Sequence, residues 1–487
     1  MPAAGAPGDA DLAPQAPPDT VTVWPGAESR DTFNMASAAT AERIRELKER
    51  EDARYHASRP KSAALRERAS AVMPNGVPMA WMRGSYHHEP PWVASAAGAH
   101  FTDVDGFRYA DFNIADMSMF CGYAPAPVVR ATHEAMRRGN QFMLPVEDAI
   151  VVAEELGRRF GLPQWQFTSS ASQANIEAIR IARVATGREK VLVFDGKYHG
   201  HLDQTLVSLD EAGRVVPEER GLSARGAAQS VVVPFNDPEA LRKALRRGDV
   251  ALVMTEAALT NNHVLILPDP GFHDTLRALT REAGALLCID ETHTQVVGAG
   301  GLTRAWGLRP DLVTAGKSIA GGVPFGAWGM NAALGVLLTQ HKGPDGERDG
   351  LIATGGTLFG NPLGLAAARA AMLEVLTPQA YAHTHTLGAQ LAAGMRDAVR
   401  RAGLPWFIHE LGPRAGYVFA PQAPRNAAEA RAVQNDTLTR LIRVWLANRG
   451  VWEAIVGAGP TVPVPATPED VALYLQAFDE LLQALTG

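Results

Sequence analysis

The chain has 487 residues, of which 46% are hydrophobic and 20% are charged, and its formal net charge is −6. A chain of this length allows several domains and buries enough apolar surface to fold without disulfide staples. The small negative charge disfavours a nucleic-acid partner, and the lack of any run of about 20 apolar residues disfavours a membrane span. Two widely separated cysteines, Cys121 and Cys288, favour a cytoplasmic protein over a disulfide scaffold.

The N-terminal quarter divides into two predicted parts. Residues 1–33 are crowded with Pro, Gly and Asp, which predicts a flexible extension. Residues 34–120 are expected to form an N-terminal arm and part of a small domain. Within them, residues 40–71 have a helical pattern that Pro60 interrupts, and residues 99–111 alternate around an Asp-Gly turn in the manner of a β-hairpin.

The middle of the chain predicts an α/β domain over residues 121–377. Helical stretches alternate there with short apolar runs, at 191–196, 250–256, 285–290 and 311–317. Buried strands that alternate with helices indicate a largely parallel sheet, whose ligands bind beyond the carboxyl ends of the strands. Residues 378–487 mix amphipathic helices with short strands and predict a small α+β domain.

Chemically useful side chains follow these apolar runs. Tyr198 and His199 follow the first run, and Glu256, Asp290 and Lys317 close the others. An acid at the end of a buried strand requires a cation or a strong hydrogen-bond donor. A lysine among small residues is a candidate for Schiff-base chemistry, although an isolated loop lysine is more often solvated.

Two further segments suit an anionic group. Ser170, Ala171 and Ser172 begin a predicted helix, where free backbone N–H groups, hydroxyls and the helix dipole could hold a phosphate. An ordinary serine N-cap explains only one of the two hydroxyls. The glycine-rich segment 354–362 adds a hydroxyl at Thr357. Together the segments predict a pocket with a phosphate cradle, an aromatic ring, an acid and an amine.

This constellation resembles the pyridoxal-phosphate enzymes of fold type I, and within them the class III aminotransferases. The likeness covers about residues 65–487 and is strongest to the subgroup that contains glutamate-1-semialdehyde aminomutase and β-amino-acid transaminases. The motifs that carry it are DVDGFRYADF (103–112), FTSSASQAN (167–175), RIARVATGREKVLVFDGKYHGH (180–201), ALLCIDETHT (285–294), RPDLVTAGKSIAGGVPFGAWG (309–329) and GTLFGNPLG (356–364). The resemblance implies the α/β PLP-transferase fold, with a mainly parallel large-domain sheet of the seven-stranded type and a small domain from both terminal segments.

The resemblance also implies roles for the central residues. Lys317 matches the lysine that holds pyridoxal phosphate as a Schiff base and then moves the substrate proton. Asp290 matches the acid that keeps the pyridine nitrogen protonated, and Tyr198 matches the ring that stacks on the cofactor. Ser170, Ala171 and Ser172 match the phosphate cradle.

The other implied contacts concern the neighbouring subunit and the edge of the cofactor. Thr357 matches a threonine that reaches the phosphate of the neighbouring subunit, which implies a homodimer with shared active sites. His199, Asn261 and Thr292 match further cofactor contacts, although His199 also suits a packing role. Glu256 could orient either the substrate or the surrounding structure. No metal site is predicted.

The substrate is less defined, because the usual Ser-Gly-Thr-Glu-Ala cradle reads Ser-Ala-Ser-Gln-Ala here and the segment after Glu291 differs from its relatives. Arg83 is a candidate carboxylate ligand, Trp81 and Tyr86 are candidate pocket walls, and Arg414 is a second possible carboxylate ligand. We expect a ping-pong aminotransferase that acts on an amine or amino acid and a keto acid or aldehyde. The alternatives are an aminomutase that moves the amino group within one molecule, and a cofactor-binding protein without transfer activity.

Overall fold

The structure is a computed structural model, and it describes residues 40–86, 89–260, 264–339, 352, 354–454 and 457–487. The predicted extension over residues 1–33 and the candidate Asn261 lie outside the described residues. The helices are α1 Ala41–Ala57, α2 Pro60–Ser70, α3 Trp81–Tyr86, α4 Ala126–Arg138, α5 Glu147–Phe160, α6 Ala171–Thr186, α7 Ala224–Ala227, α8 Pro238–Leu245, α9 Phe272–Ala283, α10 Gly301–Ala305, α11 Ala332–Thr339, α12 Pro362–Ala370, α13 Pro378–Arg401, α14 Ala427–Ala432, α15 Asp436–Ala447 and α16 Pro468–Thr486. The strands are β1 Val93–Ala97, β2 His100–Asp103, β3 Arg108–Asp111, β4 Gln164–Thr168, β5 Lys190–Phe194, β6 Val207–Leu209, β7 Val215–Pro217, β8 Ser230–Val233, β9 Val250–Thr255, β10 Leu286–Asp290, β11 Leu312–Ala315, β12 Gly326–Met330, β13 Phe407–Leu411, β14 Arg414–Val418 and β15 Val451–Trp452.

A seven-stranded sheet forms the centre of the molecule, in the order β4-β12-β11-β10-β9-β5-β8. Strand β12 runs antiparallel to both of its neighbours, and the other adjacent strands pair in parallel. The prediction of a largely parallel α/β sheet is therefore confirmed. No helix among the described residues is both long and apolar enough to cross a membrane.

Strand β5 illustrates why these apolar runs form buried strands. Val191 and Val193 pack in one hydrophobic cluster with residues of α6, whereas Leu192 and Phe194 pack in another with residues of α8 and α9. Successive strand side chains point to opposite faces, so helices on both faces require an uninterrupted apolar run. Complete burial of each large apolar side chain stabilises the folded state by about 1.5–3 kcal/mol relative to leaving that side chain exposed.

A second sheet, in the order β1-β2-β3-β15, combines three strands from the N-terminal part of the chain with one strand from its C-terminal part. Strands β2 and β3 form the predicted hairpin, and β15 pairs in parallel with β3, with Val451 opposite Ala110. The predicted break at Pro60 is also confirmed, because this residue occupies the first turn of α2. The proposed domain boundaries after residues 120 and 377 remain predictions.

The sheet order decides where the functional residues meet. Strands β11, β10, β9 and β5 are consecutive neighbours and run in the same direction. Their carboxyl ends therefore share one edge of the sheet, and the segments that follow them lie side by side. The N-terminus of α6, which follows β4, completes the same edge.

Candidate active site

Lys317 lies directly after β11, at a place where the backbone approaches helix α6. Its φ angle is +49°, which is uncommon for a residue with a side chain. A Cβ atom added to Gly316 would lie 2.9 Å from the Cβ atom of Ala171, so glycine permits this close approach. The Nζ atom of Lys317 lies 2.5 Å from Oδ2 of Asp116. The lysine is therefore held between the start of a helix and a carboxylate.

Asp290 is a buried carboxylate at the end of β10. Its Oδ2 atom accepts a hydrogen bond from Nδ2 of Asn175 at 2.8 Å and lies 3.0 Å from Nδ1 of His199, while Oδ1 accepts from the Thr292 amide. Burial by itself would raise the pKa of Asp290, but the hydrogen bond and charge of His199 and the other two donors lower it to about 2. The side chain is consequently an anion throughout the physiological pH range.

Tyr198 lies in the loop after β5, and Glu256 fixes that loop. The Tyr198 amide donates to Oε1 of Glu256 at 3.2 Å, and Oε2 of Glu256 accepts from the amide and hydroxyl of Thr260. Burial raises the pKa of Tyr198, and the negative charges of Asp116, Glu218 and Asp290 add to this effect. Tyr198 therefore remains a neutral phenol. These contacts favour the structural interpretation of Glu256.

The N-terminus of α6 presents the predicted phosphate cradle. Ser170 is the N-cap residue, with its hydroxyl accepting from the Gln173 amide, and no acidic side chain occupies the first turn. The first N–H groups of a helix have no acceptor within the helix and attract anions. Ser172 accepts from the His201 amide, and a Cβ atom on Gly200 would lie 2.1 Å from the Ser172 hydroxyl. Glycine at position 200 thus lets the tyrosine loop close against the cradle.

One pocket brings most of the predicted residues together. Its lining is formed by Ser170, Ala171, Ser172, Asn175, Tyr198, His199, Gly200, Glu256, Asp290, Thr292, His293 and Lys317. Four predicted residues are not among the lining residues: Trp81 is half exposed, Arg83 forms an ion pair with Glu89 at 2.6 Å, Thr357 lies on an exposed turn, and Arg414 is buried at the start of β14. The side chain of Tyr86 lies outside the described part of the chain. The roles assigned to these residues remain predictions.

Sequence reasoning missed three residues of this site. Asn175 ends the FTSSASQAN segment, one helical turn after the cradle, and this spacing is a signal that places it near the predicted cofactor pocket. His293 lines the pocket, and its Nδ1 atom lies 3.3 Å from the Thr260 hydroxyl. Asp116 carries no pattern signal, because it lies in an irregular segment between β3 and α4.

Arg414, at the start of β14, is a buried cation close to Asp116 and Glu256. None of its three guanidinium nitrogens has a hydrogen-bond partner among the described residues, and the side chain is 1% exposed. Burial lowers the pKa of Arg414 to about 10, against the opposing charges of Asp116 and Glu256. The guanidinium therefore stays charged at neutral pH. Both ring nitrogens of neighbouring His409 also lack a hydrogen-bond partner in the described ranges, and burial together with the charge of Arg414 lowers the pKa of His409 to about 3.

A family model described as aminotransferase class-III matches residues 83–457. The chain belongs to the class III aminotransferase family. This enzyme is 35% identical over 379 residues to a glutamate-1-semialdehyde 2,1-aminomutase from Anaeromyxobacter dehalogenans, and the match covers 76% of the chain and 86% of the relative.

Solved structures extend the comparison of this aminotransferase-family enzyme to three dimensions. A glutamate-1-semialdehyde aminomutase from Pseudomonas aeruginosa PAO1 is 39% identical with a TM-score of 0.88, over 92% of this chain and 100% of that chain. A variant of that enzyme was solved in complex with PMP. An omega-transaminase from Sphaerobacter thermophilus is 30% identical with a TM-score of 0.78, over 88% and 98% of the two chains. The fold is that of the fold-type-I pyridoxal-phosphate enzymes.

The pocket of this class III enzyme fits its cofactor, pyridoxal 5′-phosphate. A helix N-terminus could hold the phosphate, the Asp290 carboxylate could pair with a protonated ring nitrogen, and Lys317 could provide the amine. Nε2 of His199, Oγ1 of Thr292 and Oδ1 of Asn175 are buried and have no hydrogen-bond partner among the described residues. Such atoms are costly unless a bound group satisfies them.

Proposed function

We propose that this enzyme moves an amino group within one substrate molecule, as the names of its glutamate-1-semialdehyde 2,1-aminomutase relatives describe. The observation that carries the proposal is the 39% identity and 0.88 TM-score to the Pseudomonas aeruginosa aminomutase. Sequence reasoning favoured transfer between two molecules and kept the aminomutase as its alternative. The comparisons support the alternative better than that first expectation.

The residues of the pocket divide the chemistry among them. When bound, pyridoxal phosphate supplies an aldehyde that condenses with amines and a ring that accepts an electron pair. Lys317 is placed to hold that aldehyde and to move a proton at the substrate carbon. Asp290 keeps the ring nitrogen protonated, because its own pKa of about 2 makes it an anion. Tyr198, fixed by Glu256, would cover the ring face and exclude water.

Arg414 supports a substrate that carries a carboxylate. A buried guanidinium without a partner is strongly unfavourable, and a substrate carboxylate would supply the missing charge and acceptors. Arg83, the first candidate for this role, is exposed and already pairs with Glu89, whereas Arg414 is buried and has no hydrogen-bond partner among the described residues. We therefore assign the carboxylate to Arg414 rather than to Arg83.

A second candidate is transfer between two molecules by a ping-pong mechanism. The 30% identity and 0.78 TM-score to the Sphaerobacter thermophilus omega-transaminase favour it. The same lysine, aspartate and tyrosine would serve both reactions. In the ping-pong reaction the first product leaves the pocket before the second substrate binds. In the aminomutase reaction the same molecule stays in the pocket until its amino group has moved.

The test begins with the visible spectrum of the purified protein, followed by incubation with glutamate-1-semialdehyde and no second substrate. We expect an absorption band of bound cofactor and conversion of the semialdehyde to 5-amino-4-oxopentanoate, which chromatography measures. Lys317→Ala should abolish conversion, whereas Asp397→Asn, on the exposed face of α13, should not alter it.

Other outcomes would redirect the proposal. Activity that requires an added amine donor together with a keto acid would support the ping-pong transaminase. Bound cofactor without either activity would favour the inactive binding protein, and a protein that never takes up cofactor would contradict all three candidates. We also propose a cytoplasmic location, which the two buried free thiols, Cys121 and Cys288, support.

A further inference from the structure

Asp116 lies on a backbone turn of unusual conformation. Ile114, Ala115, Asp116 and Met117 have φ angles of +43°, +48°, +55° and +66°, so four consecutive residues with side chains occupy the left-handed region. This conformation is unfavourable for L-residues and persists only where the surroundings enforce it. Strained backbone of this kind is concentrated at functional sites, which draws attention to the one charged side chain on the turn.

The surrounding structure fixes the turn at both ends. Oδ1 of Asp111 accepts hydrogen bonds from the amides of Asn113 at 2.8 Å and Ile114 at 2.7 Å. The side chains of Ile114 and Met117 are both buried in the hydrophobic cluster beside the site. These contacts hold Asp116 in one position.

The carboxylate of Asp116 is directed at the reactive amine. Oδ2 lies 2.5 Å from Nζ of Lys317, whereas Oδ1 is buried, has no hydrogen-bond partner within the described part of the chain and lies 3.7 Å from Nε2 of His293. Burial opposes ionisation of Asp116, but Lys317 and His293 outweigh it and lower the pKa of this carboxyl. Asp116 is therefore an anion whose nearest cation is the lysine that the reaction requires.

The lysine cannot serve as a full ionic partner and as the reacting amine at the same time. A nitrogen joined to the cofactor keeps fewer N–H donors than a free ammonium group, which has three. Asp116 then loses its direct ion pair, and only the imidazole of His293 at 3.7 Å and the charge of Arg414 remain beside it among the described residues. A cationic group of the substrate in the place of the Lys317 amine would restore a direct ion pair. An amino group of the substrate that took the place of the Lys317 amine, 2.5 Å from Oδ2 of Asp116, would bring the neighbouring carbon and its substituents close to this carboxylate.

We propose that Asp116 is a binding subsite for a second amino group of the substrate, on the carbon next to the one that reacts. This inference rests on the proposed function. If the amino form of the cofactor gave its nitrogen to the second carbon and then took up the nitrogen of the first carbon, the substrate would carry two adjacent amino groups between the two transfers and the cofactor would end unchanged. An anion at this point retains that molecule, and Arg414 binds a carboxylate on the same molecule.

The test compares two amines of equal shape on the cofactor-loaded protein. N,N-dimethylethylenediamine carries a cationic nitrogen where isopentylamine carries a carbon, and its tertiary nitrogen cannot close a ring on the cofactor. The absorbance change on titration gives a dissociation constant for each amine. The wild-type protein should prefer the diamine, and Asp116→Asn should reduce the ratio of the two constants about tenfold or more, as expected for a lost charge-assisted hydrogen bond.

Asparagine is the appropriate replacement, because it tolerates the left-handed region and keeps the shape of aspartate. Asp397→Asn, an exposed helix position, is the matched control and should keep the wild-type ratio. An unchanged ratio in Asp116→Asn overturns the inference. If that variant fails to fold, a wild-type protein that binds isopentylamine at least as tightly as the diamine overturns it equally. Absence of any spectral response to either amine would instead contradict the proposed function.

Discussion

Asp290 shows how a single charge is maintained inside a protein. Asn175 and the Thr292 amide donate hydrogen bonds to its two oxygens, and His199 contacts the same oxygen as Asn175. A buried carboxylate without such partners would take up a proton and become neutral. These neighbours therefore determine the charge of Asp290. Through it they would also determine the protonation of the cofactor ring nitrogen that we propose binds beside Asp290.

The first residue-scale prediction concerns this charge. Asp290→Asn preserves the side-chain shape but removes the anion that we propose pairs with the ring nitrogen. The dissociation constant for pyridoxal phosphate, measured by absorbance or fluorescence titration, should rise about tenfold or more. Asp397→Asn should leave it unchanged, and equal affinities in the wild type and Asp290→Asn would remove Asp290 from the cofactor site.

The residues that sequence reasoning found and missed differ in their local setting. Lys317 and Asp290 follow apolar runs, and Ser170 begins an amphipathic helix, so strand and helix patterns locate them. Asp116 has no such setting, since its position depends on four left-handed residues that no periodic pattern encodes. Arg414 was found, but its lack of a partner depends on tertiary packing and could not be inferred from the chain.

At the scale of elements, the site depends on how closely β12 and β11 approach the start of α6. A Cβ atom added to Gly326 in β12 would lie 2.4 Å from the carbonyl carbon and oxygen of Ser170, the N-cap residue of α6. A glycine in a central strand has no side chain to pack, and here it admits another backbone. The backbone of β12 at Gly326 therefore packs directly against the backbone of Ser170 in the predicted phosphate cradle.

Gly326→Ala should displace the cradle. We expect it to destabilise the protein by about 1–3 kcal/mol, as overpacking does, and to weaken cofactor binding because Ser170 must move. Urea unfolding and cofactor titration measure the two effects. Gly298→Ala is the control, since no atom lies within 4 Å of its added Cβ and its φ angle of 174° suits any residue. Equal behaviour of both variants would contradict this account of the cradle.

Some strands of the central sheet could be predicted from the sequence and others could not. The runs that became β5, β9, β10 and β11 were identified because both faces of those strands are buried, which produces continuous apolar sequence. Strands β4 and β12 were missed, since QWQFT and GAWGM contain polar residues or glycines that weaken the pattern. The antiparallel position of β12 is a matter of sheet topology, which depends on long-range contacts.

At the scale of the whole molecule, an exposed apolar patch adjoins the turn that carries Thr357. Phe142, Met143, Leu144 and Leu358 are exposed hydrophobic side chains, and Nε2 of Gln141 donates to the Thr357 carbonyl oxygen. Contiguous exposed apolar residues mark interaction surfaces. The patch supports the proposed homodimer, in which Thr357 would reach the phosphate of the neighbouring subunit.

Met143→Lys tests the homodimer. Met143 is 75% exposed, so the change should not disturb the fold of the subunit. Light scattering over a range of concentrations should show a wild-type dimer and a variant that dissociates more readily, with weaker cofactor binding in the dissociated form. Val72→Lys, at a position 79% exposed on another part of the surface, is the control. A wild-type monomer, or a Met143→Lys dimer of unchanged stability, would count against the shared site.

The pairing of β15 with β3 has a consequence for synthesis of the chain. Val451 lies opposite Ala110, so the edge of β3 stays open until the 341 positions from Ala110 to Val451 have been translated. At ordinary translation rates this interval is about half a minute. During that time the hairpin of β2 and β3 presents unpaired backbone groups, which invite pairing with other nascent chains. The enzyme therefore depends on β15 to cover the open edge of β3, and ribosomes that stall before β15 is made would release chains prone to aggregate.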